Sequence, residues 1–128
     1  MDTGIIARIE SIPVLDAAVV SELTGMLGAD GYSGLAQRMF NETDQALATF
    51  TLPTNDGEFA SLKDRAHKLA GSAATLGAKR MHQILKALEA SCKNSDPMGA
   101  QKALDALPNH WSETKTAMCD PQSFSQSA

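Results

Sequence analysis

The feature of this sequence that most restricts its fold is an apolar stripe over residues 58–76. Its members recur at steps of three and four residues, at Phe59, Leu62, Ala66, Leu69, Ala73 and Leu76. Such steps place the side chains on one face of an α-helix, as in the core-facing helices of a bundle. Gly77 follows the stripe, and glycine commonly ends a helix. The pattern therefore predicts a helix over residues 58–76 that packs against other helices.

The rest of the chain contains further helical patterns separated by turn residues. We predict helices over residues 17–27, 35–50, 79–93 and from residue 97 onward. Asp16 is expected to cap the first of them and Gly28 to end it. Glycines in residues 31–34 predict a break before the next. Pro108 is expected to kink or split the last helix, because its ring removes a backbone donor and clashes with the preceding turn.

These patterns together predict the fold class. Alanine and leucine are plentiful, and no run of strand-forming residues alternates with polar ones. The connections are short, and short connections make consecutive helices antiparallel neighbours. We therefore expect an all-α protein, an antiparallel four-helix bundle with an additional N-terminal helix. The bundle domain would span residues 15–119, between an N-terminal segment of residues 1–14 and a polar tail of residues 120–128.

Charge and composition exclude several classes of function. The formal net charge is −4, and the longest basic run is Lys79-Arg80. Nucleic-acid-binding proteins carry a basic patch or stripe, so neither nucleic acid nor an anionic membrane is an expected partner. No apolar stretch reaches the roughly 18 residues of a membrane span, and the N-terminus lacks the basic region of a signal peptide. Cys92 and Cys119 form no C-x-x-C pair. We expect a cytoplasmic protein with reduced thiols and protein partners.

His67 lies on the predicted helix but away from its apolar stripe. At about 100° per residue, the stripe centres near 310° from Phe59, whereas His67 lies near 80°, about 130° away. The imidazole is therefore expected on the open side of the helix. Small residues surround it there, namely Ala60, Ala70, Gly71 and Ala74. A helical glycine costs about 1 kcal/mol relative to alanine, so Gly71 beside an exposed histidine indicates that another molecule comes close.

The residues around His67 resemble the signature of histidine-containing phosphotransfer (HPt) domains. That signature is His-x-Leu-Lys-Gly-Ser followed by Leu-Gly-Ala, and the matching segment is His67-Lys68-Leu69-Ala70-Gly71-Ser72-Ala73-Ala74-Thr75-Leu76-Gly77-Ala78. Weaker similarities to the family occur at Val14-Leu15-Asp16, Leu27-Gly28, Met39-Phe40 and Leu88-Glu89. The resemblance therefore extends over about residues 15–118.

The resemblance implies a function. His67 would accept a phosphoryl group on Nε2 from the phospho-aspartate of a receiver domain and pass it to an aspartate of another receiver. The partners would be response-regulator receiver domains, a hybrid sensor histidine kinase, or both. The receiver would supply the Mg²⁺, so the chain is expected to need no cofactor of its own. Gly71 would give the incoming receiver room, on a docking face formed with Ala60, Asp64, Ala70 and Ala74.

Several residues are expected to support His67. The lysine that the family usually has three residues after the histidine is Ala70 here. Lys63, Lys68 and Lys86 are the possible substitutes, and Lys63 is favoured because positions i−4 and i share a helix face. Glu89 is placed where it would hydrogen-bond Nδ1–H and select the reactive tautomer. Ser72 is either a contact of the phosphoryl group or a surface serine.

Two other functions remain open at this point. A helical-bundle adaptor would bind receivers without carrying phosphate; Ala70 favours it, and the presence of His67 counts against it. A metal or cofactor protein would need converging ligands, which the spacing of His67, His82 and His110 does not provide. No Gly-rich phosphate loop occurs, so we expect a monomeric phosphocarrier without ATP-dependent kinase activity of its own.

Overall fold

The structure, a computed structural model, describes the backbone of residues 2–119 and the side chains of residues 6–119. It contains the helices α1 (Asp2–Glu10), α2 (Ala17–Leu47), α3 (Asp56–Thr75), α4 (Lys79–Lys93) and α5 (Pro97–Cys119). Residues 2–119 include no β-strand. The predicted all-α class with an additional N-terminal helix is thus confirmed, and the predicted tail lies outside the described residues.

The core is built where α2, α3, α4 and α5 face one another. Every member of the apolar stripe on α3 is at most 9 % exposed, and each large side chain buried in this way contributes about 1.5–3 kcal/mol. The inward face of α4 is equally buried, through Met81, Ile84, Leu85, Leu88 and Cys92. Because His67 contacts Glu89 and Ala70 contacts His82, α3 and α4 run antiparallel.

Helix α1 packs outside this bundle, on α4 and α5. The α1 residue Ile9 is buried in this contact, and Glu10 Oε2 accepts a hydrogen bond from His110 Nε2 of α5 at 3.2 Å. The chain then passes to α2 through a linker whose Ile12 carbonyl accepts a hydrogen bond from Arg80 Nε at 2.7 Å. Both contacts hold the N-terminal residues against the last two helices.

The predicted break in α2 at residues 31–34 is wrong. The helix bends at Gly28 instead, where φ is 77° and ψ is 167°. The bend is tight, since a Cβ on Gly31 would lie 2.8 Å from Leu27 Cβ. Residues 31–34 stay helical because Tyr32 is buried there and its hydroxyl donates to the Leu76 carbonyl at 3.1 Å. Tertiary packing therefore outweighs the low helix propensity of glycine.

Side-chain caps explain where α2 and α3 begin. Asp16 accepts hydrogen bonds from the amides of Ala18 and Val19 at 3.1 and 3.3 Å, as predicted for the start of α2. Helix α2 ends at Leu47, earlier than the predicted residue 50. Helix α3 begins two residues earlier than predicted because Asn55 caps it.

Pro108 was expected to kink or split the last helix, and of these the split does not occur, since α5 continues through Pro108 to Cys119. Pro108 is itself exposed, whereas Leu107 and Trp111 beside it are buried. Trp111 packs edge-on against Phe40, with ring centroids 5.8 Å apart. Burial of the Leu107 and Trp111 side chains compensates for the roughly 3 kcal/mol that an internal proline costs a helix. None of the helices between residues 2 and 119 has both the length and the apolarity to cross a bilayer.

Candidate functional site

His67 lies in the middle of α3, and its side chain is 67 % exposed. Nδ1 lies 3.0 Å from Oε2 of Glu89, which α4 brings alongside. Among the described residues, none hydrogen-bonds Nε2. One ring nitrogen is therefore held by the protein, and the other is open to an incoming molecule.

Glu89 connects His67 to a lysine. Its side chain is 22 % exposed, and Oε1 accepts a hydrogen bond from Lys86 Nζ at 3.0 Å. Partial burial raises the pKa of Glu89, but the hydrogen bonds from Lys86 and His67 outweigh it and leave the pKa below its ordinary value. Glu89 is thus an ionised carboxylate, which can only accept hydrogen bonds. Nδ1 of His67 must then carry the hydrogen, so Nε2 of the neutral ring has the free lone pair.

The exposed face of α3 consists of two adjacent rows of side chains. Ala60, His67 and Ala74 form the first row at intervals of seven residues, and Asp64 and Gly71 form the second. All five residues are exposed. A Cβ built on Gly71 would meet no atom within 4 Å. The face beside the imidazole is therefore flat and open.

A groove of about 540 Å³ lies next to this face, between α2 and α3. We call it the α2–α3 groove; it is lined by Leu35, Arg38, Met39, Glu42, Lys68, Gly71, Ser72, Thr75 and Leu76. Leu35, Met39 and Leu76 make it apolar, and Arg38 and Lys68 add positive charge. Arg38 was not among the predicted site residues. It lies between the apolar residues Leu35 and Met39 of α2, and this position beside the inward face of the helix is the sequence signal that could have indicated it.

A family model of the Hpt domain matches residues 34–117 of this chain. The chain belongs to the Hpt domain family. Hpt domains are phosphocarrier modules that perform histidine phosphotransfer in two-component signalling. Comparisons with curated proteins and with solved structures gave no match.

Ala70 of this Hpt domain does not lie on the exposed face, contrary to the sequence prediction. Its side chain is 1 % exposed, and its carbonyl accepts a hydrogen bond from His82 Nδ1 of α4 at 2.9 Å. Because α2 and α4 both flank α3, the buried arc of the helix is wider than its apolar stripe. Ala70 lies about 70° from the stripe centre and falls inside that arc. It therefore cannot be part of the docking face.

The three lysines differ in how they relate to His67 of the Hpt domain. Lys86 is held beside it by Glu89. Lys63, one turn before His67 on α3, is partly buried and makes no hydrogen bond or ion pair with the rest of the described chain. Lys68 is exposed and lines the α2–α3 groove with Ser72. The structure thus brings Lys86 and Glu89 together at His67 and places Lys68 and Ser72 on its other side.

The remaining residues of the sequence analysis lie elsewhere in the Hpt domain. His110 is buried beneath α1, and Cys92 is buried in the core, where burial raises the pKa of its thiol. Within residues 2–119, no group of three or more histidine, cysteine, aspartate or glutamate side chains is arranged to hold a metal ion.

Proposed function

We propose that this Hpt domain is a phosphorelay intermediate. His67 would accept a phosphoryl group from the phospho-aspartate of a receiver domain, either a response regulator or the receiver of a hybrid sensor histidine kinase. It would then pass the group to the aspartate of a second receiver. The observation that carries the proposal is the hydrogen bond of His67 Nδ1 to Glu89, which in the neutral form of this exposed ring leaves the lone pair on Nε2.

The transfer step follows from this arrangement. The Nε2 lone pair attacks phosphorus, an N–P bond forms, and the P–O bond to the aspartate breaks with its electron pair returning to the carboxylate. Nδ1 keeps its hydrogen throughout, so the ring of the product carries positive charge. The Glu89 carboxylate, 3.0 Å from Nδ1, stabilises that charge and holds the ring in one orientation. Acceptance and release of the phosphoryl group therefore use the same two side chains.

Charge on the phosphoryl group must also be neutralised, since phosphoryl transfer depends on positioning and electrostatics. We propose that the receiver contributes Mg²⁺ and that this Hpt domain contributes lysine side chains. Lys86, which donates to Glu89, and Lys63, one turn before His67, take the place of the family lysine, whose position is occupied by Ala70. The domain would need no cofactor of its own.

The receiver would dock on the two exposed rows of α3 and over the α2–α3 groove. The partly buried Leu35 offers apolar contact, and Arg38 and Lys68 attract the acidic active site of a receiver. Gly71, which belongs to the second row and also lines the groove, allows the receiver backbone to approach closely. This face is continuous with Nε2 of His67, so docking there would present the phospho-aspartate to the nucleophile.

A labelling experiment tests the proposal. The full chain is incubated with a ³²P-labelled phosphorylated receiver, or with a hybrid kinase and ATP. We expect an acid-labile, base-stable label on the wild type and none on His67→Gln. The matched control is His82→Gln, which removes the neighbouring histidine and should still accept the label. Equal labelling of the wild type and His67→Gln would exclude the phosphocarrier function.

Because Ala70 replaces the family lysine, an adaptor function is the second candidate. An adaptor would bind the receiver with the same affinity in the wild type and in His67→Gln, and neither protein would become labelled. Calorimetric titration of the receiver, run beside the labelling, separates the two functions.

A further inference from the structure

A second concavity, of about 550 Å³, lies between α1, α4 and α5 and shares no lining residue with the α2–α3 groove. We call it the α1–α4 pocket. Its apolar part is formed by Ile6, Ile9 and Ile12 on one side and by Ala87 and Ala90 of α4 on the other. The volume is within the range of pockets that hold small molecules. The phosphotransfer function uses none of these apolar residues.

The charge around the pocket is positive, although the protein as a whole has a formal net charge of −4. Arg8, Lys86 and Lys102 line it. Asp96 is the one carboxylate among the lining residues that the structure describes, and its Oδ1 is engaged by the Gly99 amide at 3.1 Å as the cap of α5. The N-terminus of α5 adds a further partial positive charge. An apolar floor with a cationic rim fits an amphipathic anion.

One residue connects the pocket to the phosphotransfer site. Lys86 lines the pocket, and its Nζ also donates to Glu89 Oε1 at 3.0 Å. The other oxygen of Glu89 lies 3.0 Å from His67 Nδ1. The side chain of Lys86 is 45 % exposed and therefore able to turn between the two partners. A negative charge in the pocket would compete with Glu89 for the same ammonium group.

We propose that the α1–α4 pocket binds an aliphatic carboxylate, and that the bound carboxylate draws Lys86 away from Glu89 and changes the surroundings of His67. The chain of the ligand lies on the isoleucines and alanines, and its head group pairs with Arg8 and Lys86. Control of phosphotransfer by this ligand rests on the proposed function of His67. Binding itself does not.

Decanoate, used well below its micellar concentration, is the probe. Titration into the ¹⁵N-labelled full chain should give saturable shifts of the Ile9, Ala87 and Ala90 amides. 1-Decanol, which lacks the charge, should bind at least fivefold more weakly. Ala90→Trp fills the pocket from an exposed position and should weaken decanoate binding at least tenfold. Ala18→Trp, on the exposed start of α2, is the matched control and should bind as the wild type does.

The connection to His67 has its own readout. Decanoate should move the imidazole signals of His67 in the wild type but not in Lys86→Met, in which the contact with Glu89 is already absent. Unsaturable shifts, equal binding of decanol, or unchanged affinity of Ala90→Trp would overturn the binding site. Stationary His67 signals in a wild type that binds decanoate would overturn the connection. Neither measurement uses phosphate, so a failure of phosphotransfer at His67 would be seen separately.

Discussion

Replacement of Gly71 should make the protein more stable and a poorer partner for its receiver. Gly71 lies inside α3, and a Cβ at this position would meet no atom within 4 Å. The substitution therefore costs no packing and recovers the helix propensity that glycine lacks, about 1 kcal/mol for alanine and slightly less for glutamine. For a chain of 128 residues this raises the melting temperature by roughly 3–5 °C.

The effect on phosphotransfer should be opposite in sign. Gly71→Gln projects a long side chain from the row beside His67, where the receiver would dock. We expect the rate of transfer from a subsaturating phosphorylated receiver to fall about tenfold, which corresponds to about 1.4 kcal/mol of lost association. Circular dichroism during thermal unfolding measures the stability, and rapid-quench labelling measures the transfer.

Gly25 provides the matched control for Gly71. It is an exposed helical glycine of α2, and a Cβ there also meets no atom within 4 Å. Gly25→Gln should show the same stabilisation with the wild-type rate of transfer. A Gly71→Gln protein that folds stably and transfers at the wild-type rate would refute the need for clearance. The expected gain of about 1 kcal/mol assumes that a Cβ at position 71 meets no neighbouring atom. A Gly71→Ala protein with no gain in stability would refute that assumption.

Three further predictions concern other positions. Gly77→Ala should destabilise the protein by about 2–4 kcal/mol in urea unfolding, since φ is 82° and a Cβ would lie 3.0 Å from Val20 Cγ2; a loss below 1 kcal/mol would contradict this. Burial raises the pKa of Tyr32, the single tyrosine, to about 12. Its contribution to stability is therefore complete below about pH 10 and lost as the pH rises through 12; tyrosinate absorbance of the folded protein at pH 10 would be inconsistent with that burial. Glu89→Leu should slow phosphorylation of His67 by up to about tenfold, whereas Glu89→Gln, which still accepts from Nδ1, should slow it less. Equal rates in the two variants would show that the hydrogen bond does not position the ring.

Local chemistry and periodicity explain why much of the site could be predicted. The stripe on α3 repeats with the period of a helix, so the core direction, and with it the outward direction of His67, follows from spacing alone. The Asp16 cap involves amides only two and three residues away. Such features depend on neighbours in the chain and are therefore contained in a short segment of sequence.

Glu89 shows where that information ends. The resemblance and the spacing led us to expect a hydrogen bond from His67 Nδ1 to Glu89, and the structure has it at 3.0 Å, but the contact joins residues 22 positions apart. The contact depends on how far α4 is displaced along α3, and the period within either helix does not fix that displacement. It is set by the other helices, since α4 also packs on α1 and α5 and α3 also packs on α2.

What the sequence alone determined, then, is a helical bundle with a histidine of the phosphotransfer signature pointing away from its core. The tertiary structure decided the surroundings of that histidine. Ala70 became a buried residue because α4 covers that flank of α3, and Arg38 came to lie beside Gly71 because α2 packs along the other flank. The glycine that bends α2 is Gly28 and not those after it, since burial of Tyr32 keeps the following turn helical. In each case the outcome depends on the area that separate helices bury against one another, a quantity that periodicity within one helix does not contain.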